Sequence, residues 1–278
     1  MENAIKVRRS PFRWLRKKVF IFRSPWFDII QYILLVTGFT WLMLESSEQL
    51  GYYWQWYRIP RYIYTFEDGN FVLGQLMEGL IFTFKITGIS LLFAMILGLG
   101  TALIRLSSSL MGNVVSRVYL ELIRNTPLVV QIYLIYFVVG PIIGLDRFYS
   151  AVLALSLYEG AYISEIFRAG IVSLHKGQWE ASYSLGLGSF DTYRDIILPQ
   201  SIRRILPPMT GQVITLFKDS ALVSIVSLND LALAARIVAA DSFLVFEVWF
   251  TTAAIYLVFT IALSTLAYHL ENRYRILT

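Results

Sequence analysis

The sequence predicts an all-α integral membrane protein with six transmembrane helices, and three observations carry that reading. The 278 residues are 56% hydrophobic and only 15% charged, with a mean hydropathy of +0.60, above what the core of a soluble domain of this length requires. Several apolar windows reach or exceed the ~20 residues that an α-helix needs to cross a hydrocarbon core of about 30 Å. The alternation over ~10 residues that marks a spanning β-strand is not seen.

The elements follow in order. Residues 1–26 form a basic tail carrying Lys6, Arg8, Arg9, Arg13, Arg16, Lys17, Lys18 and Arg23. It lacks the apolar region and small-residue cleavage site of a signal peptide, so it reads as a retained cytoplasmic tail. Its charge suits topology and lipid headgroups better than nucleic acid. A first span follows at 27–44. Residues 45–72 are too polar to span, and their density of Trp and Tyr suits a headgroup-level belt along the outer surface. The apolar run 73–104 exceeds one crossing, so its start, "LGQLMEGLIFTF", reads as an amphipathic approach helix before a span at 79–104. Further spans are expected at 118–139, 150–171, 207–228 and 244–268.

With both termini cytoplasmic, sixteen basic residues fall on the inner side: the eight of the tail with Arg105, Arg117, Lys176, Arg194, Arg203, Arg204, Arg273 and Arg275. Only Arg58, Arg61, Arg147 and Arg236 fall outside. That asymmetry satisfies the positive-inside bias, and the opposite orientation inverts it.

This topology makes 172–206 the longest cytoplasmic loop. Its pattern reads as a short helix ending near Leu185, a turn through Gly186, Leu187 and Gly188, and a second helix capped by Ser189 with Asp191 in its first turn. Pro199 marks the expected exit. Glu180, Ala181, Leu185 and Leu187 form an apolar knob with one acid, a surface suited to docking on another protein.

The composition also excludes chemistry. There is no cysteine, so neither disulfides nor thiolate metal sites are available. His175 and His269 are isolated beside apolar runs, and no metal site or catalytic residue is assigned. No Gly-x-x-x-x-Gly-Lys-Ser/Thr loop occurs, so any ATP must be hydrolysed by a partner.

Glu180-Ala181-Ser182, Gly186, Ile196, Leu198 and Pro199 occur at the spacing of the EAA loop, and the chain resembles permease subunits of binding-protein-dependent ABC importers. Ser182 departs from the pattern, standing where the family has Ala. "ELIRNTPLVVQ" (121–131), "AYISEIFRAGI" (161–171), "HKGQWEAS" (175–182) and "KDSALVSI" (218–225) resemble the polar amino acid branch, of His, Glu, Gln, Arg and opine type. The resemblance implies a five-helix permease core over 73–278, with the helix at 27–44 as an N-terminal extension. It implies a bacterial inner-membrane location, with Glu180, Ala181, Ser182, Leu185, Gly186 and Leu187 coupling to an ABC ATPase dimer that holds the ATP and Mg. It further implies a second permease subunit and an extracytoplasmic amino-acid-binding protein. This chain itself is expected to bind no cofactor.

Thr126-Pro127, inside the third span, is a helix-start signature, since Thr can cap and Pro removes an amide that is orphaned anyway. A helix restarting there presents N–H groups and about half a positive charge to a carboxylate. A proline kink repaired by Thr126 and its neighbours is the other reading. At 1.5 Å per residue, Gln131, Glu159 and Lys218 lie roughly 12 to 17 Å deep, near the bilayer centre. Ionisable groups at that depth are costly and face a cavity or a partner. Thr126, Gln131, Glu159, Lys218, Asp219 and Ser220 are therefore the candidate substrate-binding residues, with opposite charges suiting a zwitterion. A structural Glu159–Lys218 ion pair is the competing reading. Adjacent Lys218 and Asp219 cannot face each other well, so one must look elsewhere. Glu121/Arg124 and Glu165/Arg168, each at i,i+3, read as interfacial ion pairs or gate supports, and Lys85 as a snorkelling residue.

The function expected is a non-catalytic permease passing a polar amino acid inward by alternating access, driven by ATP hydrolysis on a partner. The alternative is an autonomous ion-coupled carrier or channel, which needs no docking loop. An intramembrane hydrolase is disfavoured, because no carboxylate pair or Ser/Lys dyad stands at helical spacing.

Overall fold

The computed structural model describes residues 25–49, 51–67 and 69–274, so the basic tail lies outside the described residues up to residue 24. The chain divides into two compact units, Met1–Trp54 and Gln55–Thr278. The first contributes helix α1, Pro25–Gln49, with Asp28 in its first turn where the helix dipole favours an acid. Exposed apolar side chains run along α1 from Trp26 to Met43, as lipid surroundings require.

The second unit opens with a 3₁₀ turn, Trp56–Arg58, and a one-turn helix, Pro60–Ile63. The segment read as a surface belt then folds into an antiparallel hairpin of β1, Tyr64–Glu67, and β2, Asn70–Leu73, with Phe66 opposite Phe71. This two-stranded ribbon is a local exception in an otherwise helical fold. Its β-branched and aromatic residues at alternate positions suit a strand better than a helix.

Helix α2 then runs unbroken through Gln75–Leu106. The separate approach helix expected at its start does not exist: Leu76, Gly79, Leu80 and Thr83 are buried, so this portion packs inside the bundle. After α3, Leu110–Arg124, the chain bends by 107° into the run Leu128–Ile143. That run comprises α4, Leu128–Leu134, a π-helical turn at Ile135–Val139 and a last turn, Gly140–Ile143. The span expected at 118–139 is thus broken where Thr126-Pro127 had marked a restart.

Helix α5, Arg147–Val172, has thirteen of its 26 residues buried. Helix α6, Lys176–Ser184, is followed by one continuous helical run, Ser189–Val226. Within that run a short first turn, Ser189–Asp191, leads through π-helical Thr192–Ile197 into α7, Leu198–Asp219, and then a 3₁₀ segment, Ser220–Val226. The expected exit at Pro199 and restart at 207 are therefore wrong. Pro199 sits where a wide π turn precedes it, and Pro141 likewise follows the π turn at Ile135–Val139. A π turn relieves the missing amide and the ring clash that proline brings to an α-helix. The run then turns by 52° into α8, Leu231–Ser242, an element the hydropathy pattern did not reveal. Helix α9, Val245–Tyr274, completes the fold.

Among the described residues, three helical segments are long and apolar enough to cross a membrane, Trp26–Met43, Gln75–Leu106 and Val245–Leu270, and five are reached if each bent pair is one crossing. Helix α5 is long enough at roughly 39 Å but too polar to qualify by composition. Its polar groups point inward: Ser150, Ser156, Glu159 and Ser164 are all buried. Six crossings remain compatible with these elements. Helices α2 and α5 meet at Gly98, where a Cβ would lie 2.6 Å from Ile163 Cγ2 and 3.1 Å from the Gly160 carbonyl oxygen. Replacing Gly98 by Val should cost about 1–3 kcal/mol through overpacking, read as a lower melting temperature of the purified protein. An unchanged melting temperature would contradict this close approach.

Candidate functional site

Two sites emerge, one inside the bundle and one on the loop side. The first is a polar layer between α5 and α7. Glu159 is fully buried; its Oε2 accepts a hydrogen bond from Gln212 Nε2, while Oε1 has no hydrogen-bond partner among the described residues. Asp219 lies within electrostatic reach of both Glu159 and Tyr158. Tyr162 donates to the Tyr158 hydroxyl at 3.4 Å, and the Arg124 guanidinium lies 5.6 Å from the Tyr162 ring centre.

No Glu159–Lys218 ion pair forms among the described residues, because Gln212 occupies the place beside Glu159. Lys218 is exposed and Asp219 half-buried, the divergence that adjacent helical positions impose.

The other three mid-depth candidates hydrogen-bond to backbone. Thr126 Oγ1 donates to the Leu122 carbonyl at 2.7 Å, so it does not cap the restarting helix, whose N-cap is Pro127. Gln131 is buried, and its Nε2 donates to the Ile123 carbonyl at 2.7 Å and the Thr126 carbonyl at 2.9 Å. Ser220 Oγ donates to the Phe217 carbonyl at 2.8 Å. Thr126 and Gln131 thereby satisfy carbonyls freed by the bend, as hydrocarbon surroundings demand.

Below the polar layer, Glu165 joins three helices. It pairs with Arg105 of α2, with Arg168 of its own helix at 2.9 Å, and with Arg124 of α3 at 3.9 Å. The expected Glu165/Arg168 pair is present. The Glu121/Arg124 pair is not seen among the described residues: Glu121 Oε2 accepts from Asn125 at 2.8 Å, and Arg124 turns toward Glu165. Lys85 lies over the Phe148 ring at 5.3 Å.

The second site is the protrusion between α5 and α7. His175 caps α6 through Nδ1, which accepts the Gly177 N–H at 3.0 Å. At the other end Leu187 N–H donates to the Ser182 carbonyl at 3.1 Å and Gly186 N–H to the Tyr183 carbonyl at 3.0 Å. These two bonds make a Schellman motif with Gly186 at the left-handed position, φ +79°. A side chain there would strain the turn, which is why glycine occupies it. The next helical turn starts from Gly188 rather than Ser189, since Gly188 is the N-cap residue and no side-chain cap is made.

Trp179 meets Tyr193 edge to face with centroids 4.9 Å apart, and Ile171, Leu174 and Ile197 form a small core beneath them. Burial pushes the Tyr193 phenol above its ordinary pKa, and neighbouring Tyr183 adds to the shift. Of the six coupling candidates, Glu180, Ala181, Leu185 and Gly186 are exposed and Leu187 half-buried. Ser182 is only 2% exposed, with its hydroxyl donating to the Gln178 carbonyl at 2.6 Å. It therefore faces the protrusion's interior.

Gln212, Tyr158 and Tyr162 escaped the sequence reading. Gln212 is seven residues before the candidate Asp219 on α7, and Tyr158 and Tyr162 share an i, i+4, i+7 stripe with Glu165 on α5, so helical spacing could have linked them. Phe190 and Tyr183 are 73% and 49% exposed on the protrusion, and a phenyl ring between Gly188 and Asp191 in a polar stretch was the available signal.

Together these features define a multi-pass helical membrane protein with a rigid protrusion between two of its long helices. A family model described as "Binding-protein-dependent transport system inner membrane component" matches residues 71–276, and the chain belongs to that family. It is 36% identical over 205 residues to the glutamine transport system permease protein GlnP of Escherichia coli strain K12, covering 73% of this chain and 94% of that protein. It is 40% identical over 202 residues to the L-cystine transport system permease protein TcyB of Bacillus subtilis strain 168, covering 71% and 86%. A crystal structure of an amino acid ABC transporter with histidines is similar with a TM-score of 0.67 at 37% identity, covering 72% of this chain and 94% of that one.

The bend after α3 gives a prediction of its own. Gln131→Leu leaves the Ile123 and Thr126 carbonyls without their donor, at a cost of about 1–3 kcal/mol. A thermal unfolding midpoint in detergent lower than that of the unaltered protein is expected, and an equal midpoint would remove Gln131 from this repair.

Proposed function

We propose that this chain is the permease subunit of an ATP-driven importer that carries a polar L-amino acid delivered by an extracytoplasmic binding protein. It works beside a second permease, a copy of itself or a homologous chain. A separate ABC ATPase dimer holds ATP and Mg, and the permease carries out no bond chemistry. The names of its relatives, which specify glutamine and cystine transport, support an amino acid as cargo. The sixteen-to-four asymmetry of basic residues supports cytoplasmic termini and a cytoplasmic protrusion.

One observation carries the mechanism: the run Ser189–Val226 extends without interruption from the turn of the protrusion to the polar layer. A displacement gripped at Gly186–Ser189 is therefore conducted along about 45 Å of helix to Asp219. Docking of Glu180, Ala181, Leu185, Leu187, Tyr183 and Phe190 in a groove of the ATPase converts its closure into rocking of α7 against α5. In the polar layer Glu159 and Asp219 favour the ammonium of the cargo, and Lys218, exposed beside that layer, favours its carboxylate. Thr126, Gln131 and Ser220 act behind them by fixing the backbone.

Glu180→Arg should abolish permease-stimulated ATPase activity while leaving the subunit in the membrane. Phe190→Ala, removing an aromatic anchor, should weaken ATPase association by about 2 kcal/mol, roughly 30-fold. Unaltered stimulation in both variants would contradict docking through this loop. Glu159→Gln should raise the apparent KM for uptake with ATPase association intact, whereas unchanged uptake kinetics would assign Glu159 to structure alone.

A further inference from the structure

The hairpin before α2 has two unlike faces. Strand alternation places Tyr64 and Phe66 on one side, and the register sets Phe71 opposite Phe66 on that same side. These three rings pack together with centroids 5.8 to 6.2 Å apart. They are nevertheless 45%, 67% and 60% exposed, an aromatic sheet face that nothing in the described chain covers. The opposite face, with Thr65 and Val72, borders a cleft of about 360 Å³ to which Arg61, Gln75 and Glu78 bring the polar groups. One side of the ribbon is therefore apolar and uncharged, and the other faces charge.

We propose that the Tyr64/Phe66/Phe71 face is a membrane-interface anchor, laid against the headgroup and upper acyl region of the outer leaflet. Three observations select lipid as its occupant. The hairpin is separated from the spanning helix α2 by Gly74 alone, whose N–H donates to the Ile63 carbonyl at 2.9 Å, so it stands at the very end of a membrane-crossing helix. Helix α2 is roughly 48 Å long, close to the 40–45 Å of a bilayer with its headgroups. With Arg105 at the inner boundary, Gln75 and the hairpin stand at the outer headgroup level. That is the level at which aromatic rings are enriched, and an amphipathic element there turns its apolar side to lipid and its charged side to water. The same exposed patch in water would be an unfavourable surface for a membrane subunit to maintain. The anchor fixes the depth and tilt of α2 from its outer end, as the Arg105–Glu165 pair ties its inner end to α5.

The chain contains no cysteine, so single-thiol variants report directly. Phe66→Cys and, on the opposite face, Thr65→Cys are spin-labelled in the full complex in nanodiscs of phosphatidylethanolamine and phosphatidylglycerol. Accessibility to oxygen and to a water-soluble nickel chelate is then measured by power saturation, with and without the binding protein. The expected result is an oxygen-to-nickel accessibility ratio higher at 66 than at 65, unchanged when liganded binding protein is added. Equal ratios at the two positions would overturn the proposal. So would a label at 66 that is water-accessible alone and shielded only by the binding protein, which would assign the face to that partner. Neither outcome bears on docking of the ATPase, which is read from the opposite side of the membrane.

Discussion

Every amide and carbonyl inside a hydrocarbon layer must find a partner within the protein, and this requirement governs how the fold departs from straight helices. The chain bends by 107° after α3 and by 52° before α8, and each bend frees backbone groups. At the first, Thr126 bonds back to Leu122 and Gln131 reaches the Ile123 and Thr126 carbonyls. At the second, Asp230 accepts the N–H groups of Ala232 and Leu233, and Thr83 of α2 accepts that of Leu231. Side chains that look functional by their depth are thus partly the repair of the breaks. The breaks in turn give the bundle discontinuous helices around its polar layer.

With those bends satisfied, α5 can be polar where a lipid-facing helix cannot. It lies enclosed by α2, α3 and α7, close enough to α2 that Gly98 leaves no room for a Cβ. Its inward stripe carries Glu159 at the level of Gln212 and Glu165 at the three-arginine junction below. Helix α7 supplies the opposing wall of the layer and also the stem of the protrusion. The Trp179–Tyr193 contact and the Schellman turn at Gly186 hold that protrusion as a fixed shape, which is what transmission along a helix needs. The proposed import mechanism rests on this continuity, not on any single charged residue.

The helical membrane character and the spacing of the protrusion's turn were legible because they depend on local signals: apolar windows of spanning length, and a glycine where φ must be positive. Break positions were half legible. Pro127 marked the first bend, but its angle depends on packing against α5 that no local pattern encodes. Pro199 misled in the opposite direction, since the π turn before it lets the helix continue. Helix α8 was hidden because its twelve residues are too short to cross a membrane and merged into the neighbouring apolar runs. In the polar layer Glu159 stood out by depth, yet its partner Gln212 is an uncharged residue in an amphipathic stretch. Only the fold brings positions 159 and 212 together.

The most direct test of a cytoplasmic protrusion gripped by a separate ATPase is site-directed cross-linking at Leu185, which is 79% exposed. Leu185→Cys in this cysteine-free chain should cross-link to an engineered thiol in the ATPase groove within inside-out vesicles, with a yield that changes between ATP-bound and nucleotide-free states. Labelling of the same thiol by a membrane-impermeant reagent applied to intact cells from the outside, or a cross-link to the ATPase that never forms, would contradict it.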